Sequence, residues 1–511
     1  MNSKYKHLSI SEFLFDRGCY FETFANQIVE SIITLLKGRF FLLTMAVGLF
    51  IFPQSSCTKL VEVEAPVTST SEVNVYTSDA TAAAVLTGIY TNISNSYFSN
   101  GGIASLSLFA GLSADELKLY NGSTNTTYIR YYTNALSTSP PLIADFWNAF
   151  YPVIFIANSA IEGLANSNSL TPAIKQQLVG EAKFIRAFCY FYLVNLYGDV
   201  PLITGTDYTV NAVFFRTLKS RIYQQIIADL KNAQTLLSSN YLDATLLNIT
   251  DKRVRPTQGA AAALLARVYL YTGDWVDAEA EATNVITNTG AYNLINDLNS
   301  VFLANSKEAI WQLQPVGAGV NTPDGLLFII PIAGLNNGPN PVCLNTNLLN
   351  SFETGDQRRT YWIDSVRVNS ATYYYPYKYK INTPNVSITE YEMIFRLSEQ
   401  YLIRAEARAQ QGNISGAKND LNIIRNRAGL ASITAADKAS LIIAIQHERQ
   451  VELFTEWGHR WLDLKRTGTV DAVMNVVTPL KGGVWRTNWQ WYPISLYELQ
   501  HDQNLEQNSG Y

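Results

Sequence analysis

The residue with the clearest chemical assignment is Cys57. It follows Ser55 and Ser56, which follow an apolar run over residues 40–52 preceded by the basic pair Lys37 and Arg39. That order reads as a secretory signal whose cut site ends at a cysteine. A thiol at that position can take a diacylglycerol, which would leave Cys57 as an acylated N-terminus. The run is thirteen residues, too short for a bilayer core that needs roughly 20, so a spanning anchor is the weaker reading. Gln54 stands where a small aliphatic residue is usual, and an ordinary secretory signal with an incidental cysteine is the competing reading. Residues 1–36 carry Glu12, Asp16, Glu22 and Glu30 and form a long leader, so translation could begin near Lys37.

Other reactive residue types are present, but not in catalytic spacing. His447, His459 and His501 are the histidines after Cys57, and none belongs to HExxH or a Cys/His cluster. No metal or cofactor is therefore expected. The closest approach to GxGxxG has Thr322 in place of the third glycine, and neither GxxxxGK nor GxSxG occurs. Two carboxylates suffice for glycoside hydrolysis, so Asp115 with Glu116, or Glu390 with Glu392, are conceivable pairs. Solvated or capping acids are the plainer expectation for all four. Residues 447–466 (HERQVELFTEWGHRWLDLKR) alternate charges of both signs with Val451, Phe454, Trp457 and Trp461. They read as one helix with paired charges packed beneath a scaffold rather than as an active site.

The elements that must position these residues are mostly helical. Apolar residues recur at helical spacing over 80–93 and 146–164, and 181–197 is apolar around most of its circumference. Gly198 and Pro201 end that segment, and 221–237 is amphipathic. Segments 260–286 and 401–424 share a design: a small-residue helix, a Gly-opened turn, and a second helix with Ala five residues on. The pairs are Gly273/Ala278 and Gly412/Ala417, the packing logic of tetratricopeptide-type hairpins. The two glycines lie 139 residues apart, so the fold class is mainly α: a helical-hairpin scaffold with long loop-rich insertions and minor β. One insertion covers about 290–395, with NNGPNPV at 336–342 and the β-like run TYYYPYKYK at 372–380; a second loop zone covers 92–141. Such zones are where a ligand site is expected.

Composition narrows the classes further. Removing residues 1–56 takes five basic and four acidic residues from a chain of net charge −4 and leaves −5, which argues against nucleic acid. Cys189 falls in a helical pattern and Cys343 in a loop, so no disulfide framework is expected. The 30 tyrosines and 9 tryptophans suit a protein that holds sugars on aromatic faces, and equally suit ordinary cores.

LSADEL stands at 112–117, Trp147 to Tyr151 precede Ala157 and Asn158, and GEAKFIRA at 180–187 runs to YGDVPL at 197–202. YQQIIADL at 223–230, ARVYL at 266–270, residues 396–406, and Glu448-Arg449 with RWLDLKR at 460–466 follow, then QNSGY at 507–511. In that order these phrases resemble the RagB/SusD family of nutrient-uptake outer-membrane lipoproteins. Departures are Gln54, the long leader and Ser509, where the family often has proline. Residues 1–56 read as the signal and 57–75, rich in Thr, Ser, Val and Glu without helical period, as a tether; the resemblance implies a body over 76–511 with halves at about 76–290 and 291–511. It also implies a non-catalytic, outward-facing protein that captures a glycan or other nutrient for a SusC-like TonB-dependent transporter barrel. An exported glycan-degrading enzyme on the same scaffold is the alternative. A glycan site wants aromatic platforms beside amides, which points to Tyr97, Tyr120, Asn121 and Tyr128 in the first zone and Asn337 and Asn345 in the second.

Overall fold

The computed structural model describes residues 75–95, 102–138, 146–211, 213–317 and 319–511. The leader, Cys57, the tether to residue 74, and Tyr97 lie outside them.

The helical expectations hold with shifted ends. Helices α1 (Asp79–Asn95), α2 (Leu106–Ser113), α3 (Thr126–Tyr132), α4 (Phe146–Asn166), α5 (Pro172–Tyr197) and α6 (Lys219–Leu236) form the first half. The α5 helix begins nine residues before its apolar belt, because Pro172 opens a polar first turn. Its all-round apolarity has the anticipated cause: Phe184, Phe188 and Tyr192 are fully buried, with Phe184 and Phe188 edge-on to Trp311 at 5.1 and 5.5 Å. Arg186 crosses to α6 and grips Asp229 through Nε and Nη2 at 2.8 and 2.7 Å.

Both hairpins form as anticipated. Helices α7 (Gln258–Thr272) and α8 (Trp275–Thr287) turn at Gly273 (φ +77°), while α9 (Leu397–Gln410) and α10 (Ile414–Arg427) turn at Gly412 (φ +84°). Positive φ is what glycine supplies at these turns. Ala278 and Ala417 are buried at the helix crossings. Although separated in sequence, the hairpins are neighbours in space: α8 packs along α9, extending a ladder from α4 through α10 in which each helix packs on the next. Arg408 on α9 ties the hairpins together, reaching Glu279 of α8 and Asp420 of α10 at 2.8 and 2.9 Å. The intervening insertion loops out without breaking the ladder.

The charged segment 447–466 is not one helix. It splits into α11 (Lys438–Glu452) and α12 (His459–Arg466) around a turn with positive φ at Thr455 (+52°), Trp457 (+45°) and Gly458 (+73°). The break lets its acids turn inward to basic residues brought from elsewhere. Arg396 meets Glu452 and Glu456 at 2.5 and 2.7 Å, Arg358 meets Glu448 and Glu452 at 2.6 and 2.8 Å, and Arg427 and Lys378 also bind this cluster. Every member is largely buried, so pairing is what makes the charges tolerable. Neighbour-to-neighbour spacing along one helix could not reveal these long-range partners. A last long helix, α13 (Val470–Leu480), is followed only by short helical turns at Thr487–Gln490 and Leu496–His501.

Strands are few: β1 (Leu117–Leu119), β2 (Ala309–Leu313), β3 (Val342–Leu344), β4 (Ile363–Val368), β5 (Ala371–Pro376) and β6 (Glu392–Arg396), paired β1 with β3, β2 with β6 and β4 with β5, all antiparallel. Cys343, expected in a loop, sits buried on β3, where it stays a free thiol, as does Cys189 on α5. No helix among the described residues is long and apolar enough to cross a membrane.

Candidate ligand-binding face

The two loop zones meet. Strand β1 comes from the first and β3 from the second, with Leu117 opposite Leu344 and Leu119 opposite Val342. The ladder extends past both ends: Tyr120 N–H donates to Pro341 C=O, and Asn345 N–H donates to Glu116 C=O, each at 2.8 Å. A turn follows, closed by Ser123 N–H on Tyr120 C=O at 2.9 Å. Within it the Tyr120 ring folds over Gly122, where a Cβ would lie 2.8 Å from the ring. One face of Tyr120 is thus covered and the residue is half-buried, while Asn121 is exposed.

Across from this turn, Asn336 Oδ1 accepts Gly338 N–H at 2.8 Å, shaping the second loop. Asn337 Oδ1 then accepts Thr124 N–H at 3.0 Å, pinning one loop to the other. Asn340 is buried and its amide donates to the carbonyls of Leu326, Leu327 and Ile329 at 3.0–3.1 Å. Its role as an internal staple had no signal beyond an Asn/Gly/Pro-rich stretch. Ile332 stands 89% exposed on the same loop.

The β4–β5 hairpin lies against β3 and adds aromatic surface. Strand alternation sends Tyr373 and Tyr375, with Tyr377 just past the strand end, toward Ile329, Ile330 and Cys343. Tyr374 faces the other way, under the Arg359 guanidinium at 4.7 Å, while Lys380 sits over Tyr377 at 4.1 Å. The run TYYYPYKYK signalled this strand, but the cation partners came from the tertiary fold.

The remaining nominated residues fare differently. Tyr128 is a core residue, 5% exposed and 5.8 Å from the Phe109 ring, because Asn125 caps α3 and turns that face inward. It is therefore unavailable as a surface platform. Asn345 caps a short turn through Asn347 N–H at 3.0 Å. Tyr97 lies outside the described residues. The structure brings Tyr120, Asn121 and Asn337 to one face.

The four acids weighed as catalytic or solvated are all buried. Asp115 forms a two-point pair with Arg460 at 2.7 and 2.8 Å. Burial and then repulsion from Asp115 push Glu116 up to about 8, although Thr455 N–H donates to it at 3.2 Å. Glu390 accepts the N–H groups of Lys380 and Ile381, and Glu392 accepts the Tyr379 hydroxyl. None of the four is a solvated surface group: Asp115 and Glu116 bind Arg460 and Thr455 of the 447–466 segment, while Glu390 and Glu392 bind Lys380, Ile381 and Tyr379 within the insertion.

Residues 55–270 match a family model described as "Starch-binding associating with outer membrane", and residues 352–511 match the SusD family model. The chain belongs to the SusD/RagB family. Among its relatives, SusD-like protein P25 of Formosa agariphila is 26% identical over 90% of this chain and 98% of its own. A SusD superfamily protein from Bacteroides vulgatus has the same fold, with a TM-score of 0.73 at 22% identity over 85% of this chain and 99% of that one. A laminarin binding SusD-like protein follows at a TM-score of 0.69 and 24% identity, over 84% and 99%. The helical ladder with its inserted loops is thus the SusD fold.

Proposed function

We propose that this SusD-family chain is a cell-surface glycan-binding protein that takes its ligand at the merged loop face and hands it to a partner TonB-dependent outer-membrane transporter. The observation that supports the reading is the joining of the two loop zones by β1 and β3: Asn337 is pinned to the Tyr120 turn through Thr124 N–H, and the β4–β5 hairpin packs on β3. Half-exposed rings next to amides suit a polyhydroxylated ligand: the rings take the apolar faces of sugars and the amides take hydroxyls. The family description and the laminarin-binding relative support the same ligand class.

On this reading residues 1–56 are removed, Cys57 carries the lipid, residues 57–75 are the tether and 76–511 the body. The face supplies binding groups, and the four acids weighed as catalytic are buried away from it, so on this reading the protein captures without cleaving. Affinity gels of starch and laminarin run with purified protein test this directly. Retardation without release of reducing sugar is expected, weakened by Tyr120→Ala; turnover of the glycan would overturn the non-catalytic reading. Cys57→Ser should release the protein from the outer-membrane fraction, and a co-purifying β-barrel would identify the transporter.

A further inference from the structure

Between α5 and α6 the chain makes an excursion whose backbone is tied down while its apolar side chains point outward. Its ends close where Thr217 N–H donates to Val200 C=O at 2.9 Å. Asn158 on α4 donates to the carbonyls of Ile203 and Gly205 at 3.1 and 3.3 Å, and Glu162 accepts Thr206 N–H at 3.0 Å. From the C-terminal segment, Asn504 donates to Val213 C=O at 2.8 Å. Upon this frame Tyr208, Val210, Val213 and Phe215 are 51–67% exposed. Phe155 shares the α4 stripe of Tyr151 and Asn158, which hold Pro201 and Ile203, and is itself 49% exposed. Isolated exposed apolar residues are ordinary, but a contiguous set on a fixed backbone marks a contact surface.

Where the chain enters the body says what covers it. Tyr76 packs its ring on Gly163 of α4, where a Cβ would lie 2.1 Å from the ring, and its carbonyl accepts Ser167 Oγ at 2.6 Å. Glu162, the residue beside Gly163, is the one that holds Thr206. The exposed loop and the entry point therefore share one end of α4. Val75 is eighteen residues from Cys57, which can span at most about 60 Å even fully extended. Residues 208–215 (YTVNAVFF) carry no charge, and uncharged aromatic and valine side chains suit the boundary between lipid headgroups and acyl chains.

We propose that Tyr208, Val210, Val213 and Phe215 form a second membrane contact, seated in the lipid surface to which acylated Cys57 is tethered and setting the orientation of the body above it. This rests on the reading of Cys57 as the lipid-bearing N-terminus. The test uses the acylated protein in vesicles of phosphatidylethanolamine and phosphatidylglycerol, with a polarity-sensitive fluorophore on Val213→Cys and, as control, on Ile443→Cys, a 71% exposed site on α11. Cys189 and Cys343 are buried and stay unlabelled. The expected result is a blue shift at 213, with loss of emission to an acyl-chain quencher, and neither effect at 443. Adding Tyr208→Ser and Phe215→Ser should abolish both effects. A water-like label at 213 on protein that still floats with the vesicles overturns the contact and leaves the lipid anchor standing. Shielding of 213 only after a partner barrel is added overturns it too, assigning the patch to protein. Failure to float overturns the anchor, and the contact with it.

Discussion

Asn337 Oδ1 accepts the backbone N–H of Thr124 at 3.0 Å across 213 residues of sequence. That bond joins the tips of the two loop zones, whose bases are already joined by β1 and β3. Between them the Tyr120 turn has little freedom, so the proposed ligand face is held in place before binding, which would lower the entropy cost of capture.

Asn337→Ala removes one exposed hydrogen bond, so its effect on global stability should be small, about 0.5 kcal/mol. Its local effect should be larger: faster amide exchange over residues 121–124 and weaker retardation on glycan gels. Unchanged exchange there would mean that the β1–β3 ladder alone orders the turn.

Glu452 answers to Arg358, Arg396 and Arg427 together, inside the protein. Burial alone would raise its pKa, but those three guanidiniums hold it well below the carboxylate range. Glu452→Ala should cost about 3–5 kcal/mol in urea unfolding, because three buried cations lose a partner. The stability that Glu452 contributes is present above the ordinary carboxylate pKa and is lost as pH falls through its depressed folded value.

Glu116 runs the other way. Its folded pKa, pushed to about 8, lies above the unfolded value, so the folded state keeps a proton that the unfolded chain gives up. Stability therefore falls as pH rises through that window, at about 1.4 kcal/mol per unit at most. Glu116→Gln removes the term, so its melting temperature relative to the parent should climb from pH 5 to pH 8. A pH-independent difference would show that Glu116 is ionised in the folded protein throughout.

Gly458 has φ +73°, and a Cβ there would come 2.7 Å from the Ala110 Cβ on α2. Gly458→Ala should cost about 1–3 kcal/mol through backbone strain and overpacking combined. Pairing it with Ala110→Gly should recover the steric part only, which a double-mutant cycle in urea resolves.

Most of the long helices were legible because each has an apolar face with its own period, and the hairpin glycines announced their turns; α2 and α3 fell within the segment read as a loop zone, because they are short and α2 is buried on all sides. The RagB/SusD phrases were legible for a related reason: GEAKFIRA and RWLDLKR place Arg186, Arg460 and Asp463 at specific points of the helical body. Three expectations failed where the deciding partner was remote. Residues 447–466 look like one helix until Arg396, Arg358 and Lys378 arrive to draw Glu452 and Glu456 inward. Tyr128 looks like a loop aromatic until Phe109 and the Asn125 cap turn it into core. Asp115 looks solvated until Arg460, 345 residues on, closes over it.

By itself the sequence determined most of the long helices, the two alanine-packed hairpins, the long insertions that interrupt the scaffold, and which family the chain resembles. Only the tertiary structure decided that the hairpins are adjacent, that the loop zones share a face, and which of their polar residues reach the surface. Periodicity records that a segment has a side to bury, because that is a property of neighbours three and four residues apart. It holds no record of which buried sides meet, because that is settled by contacts between residues hundreds of positions apart.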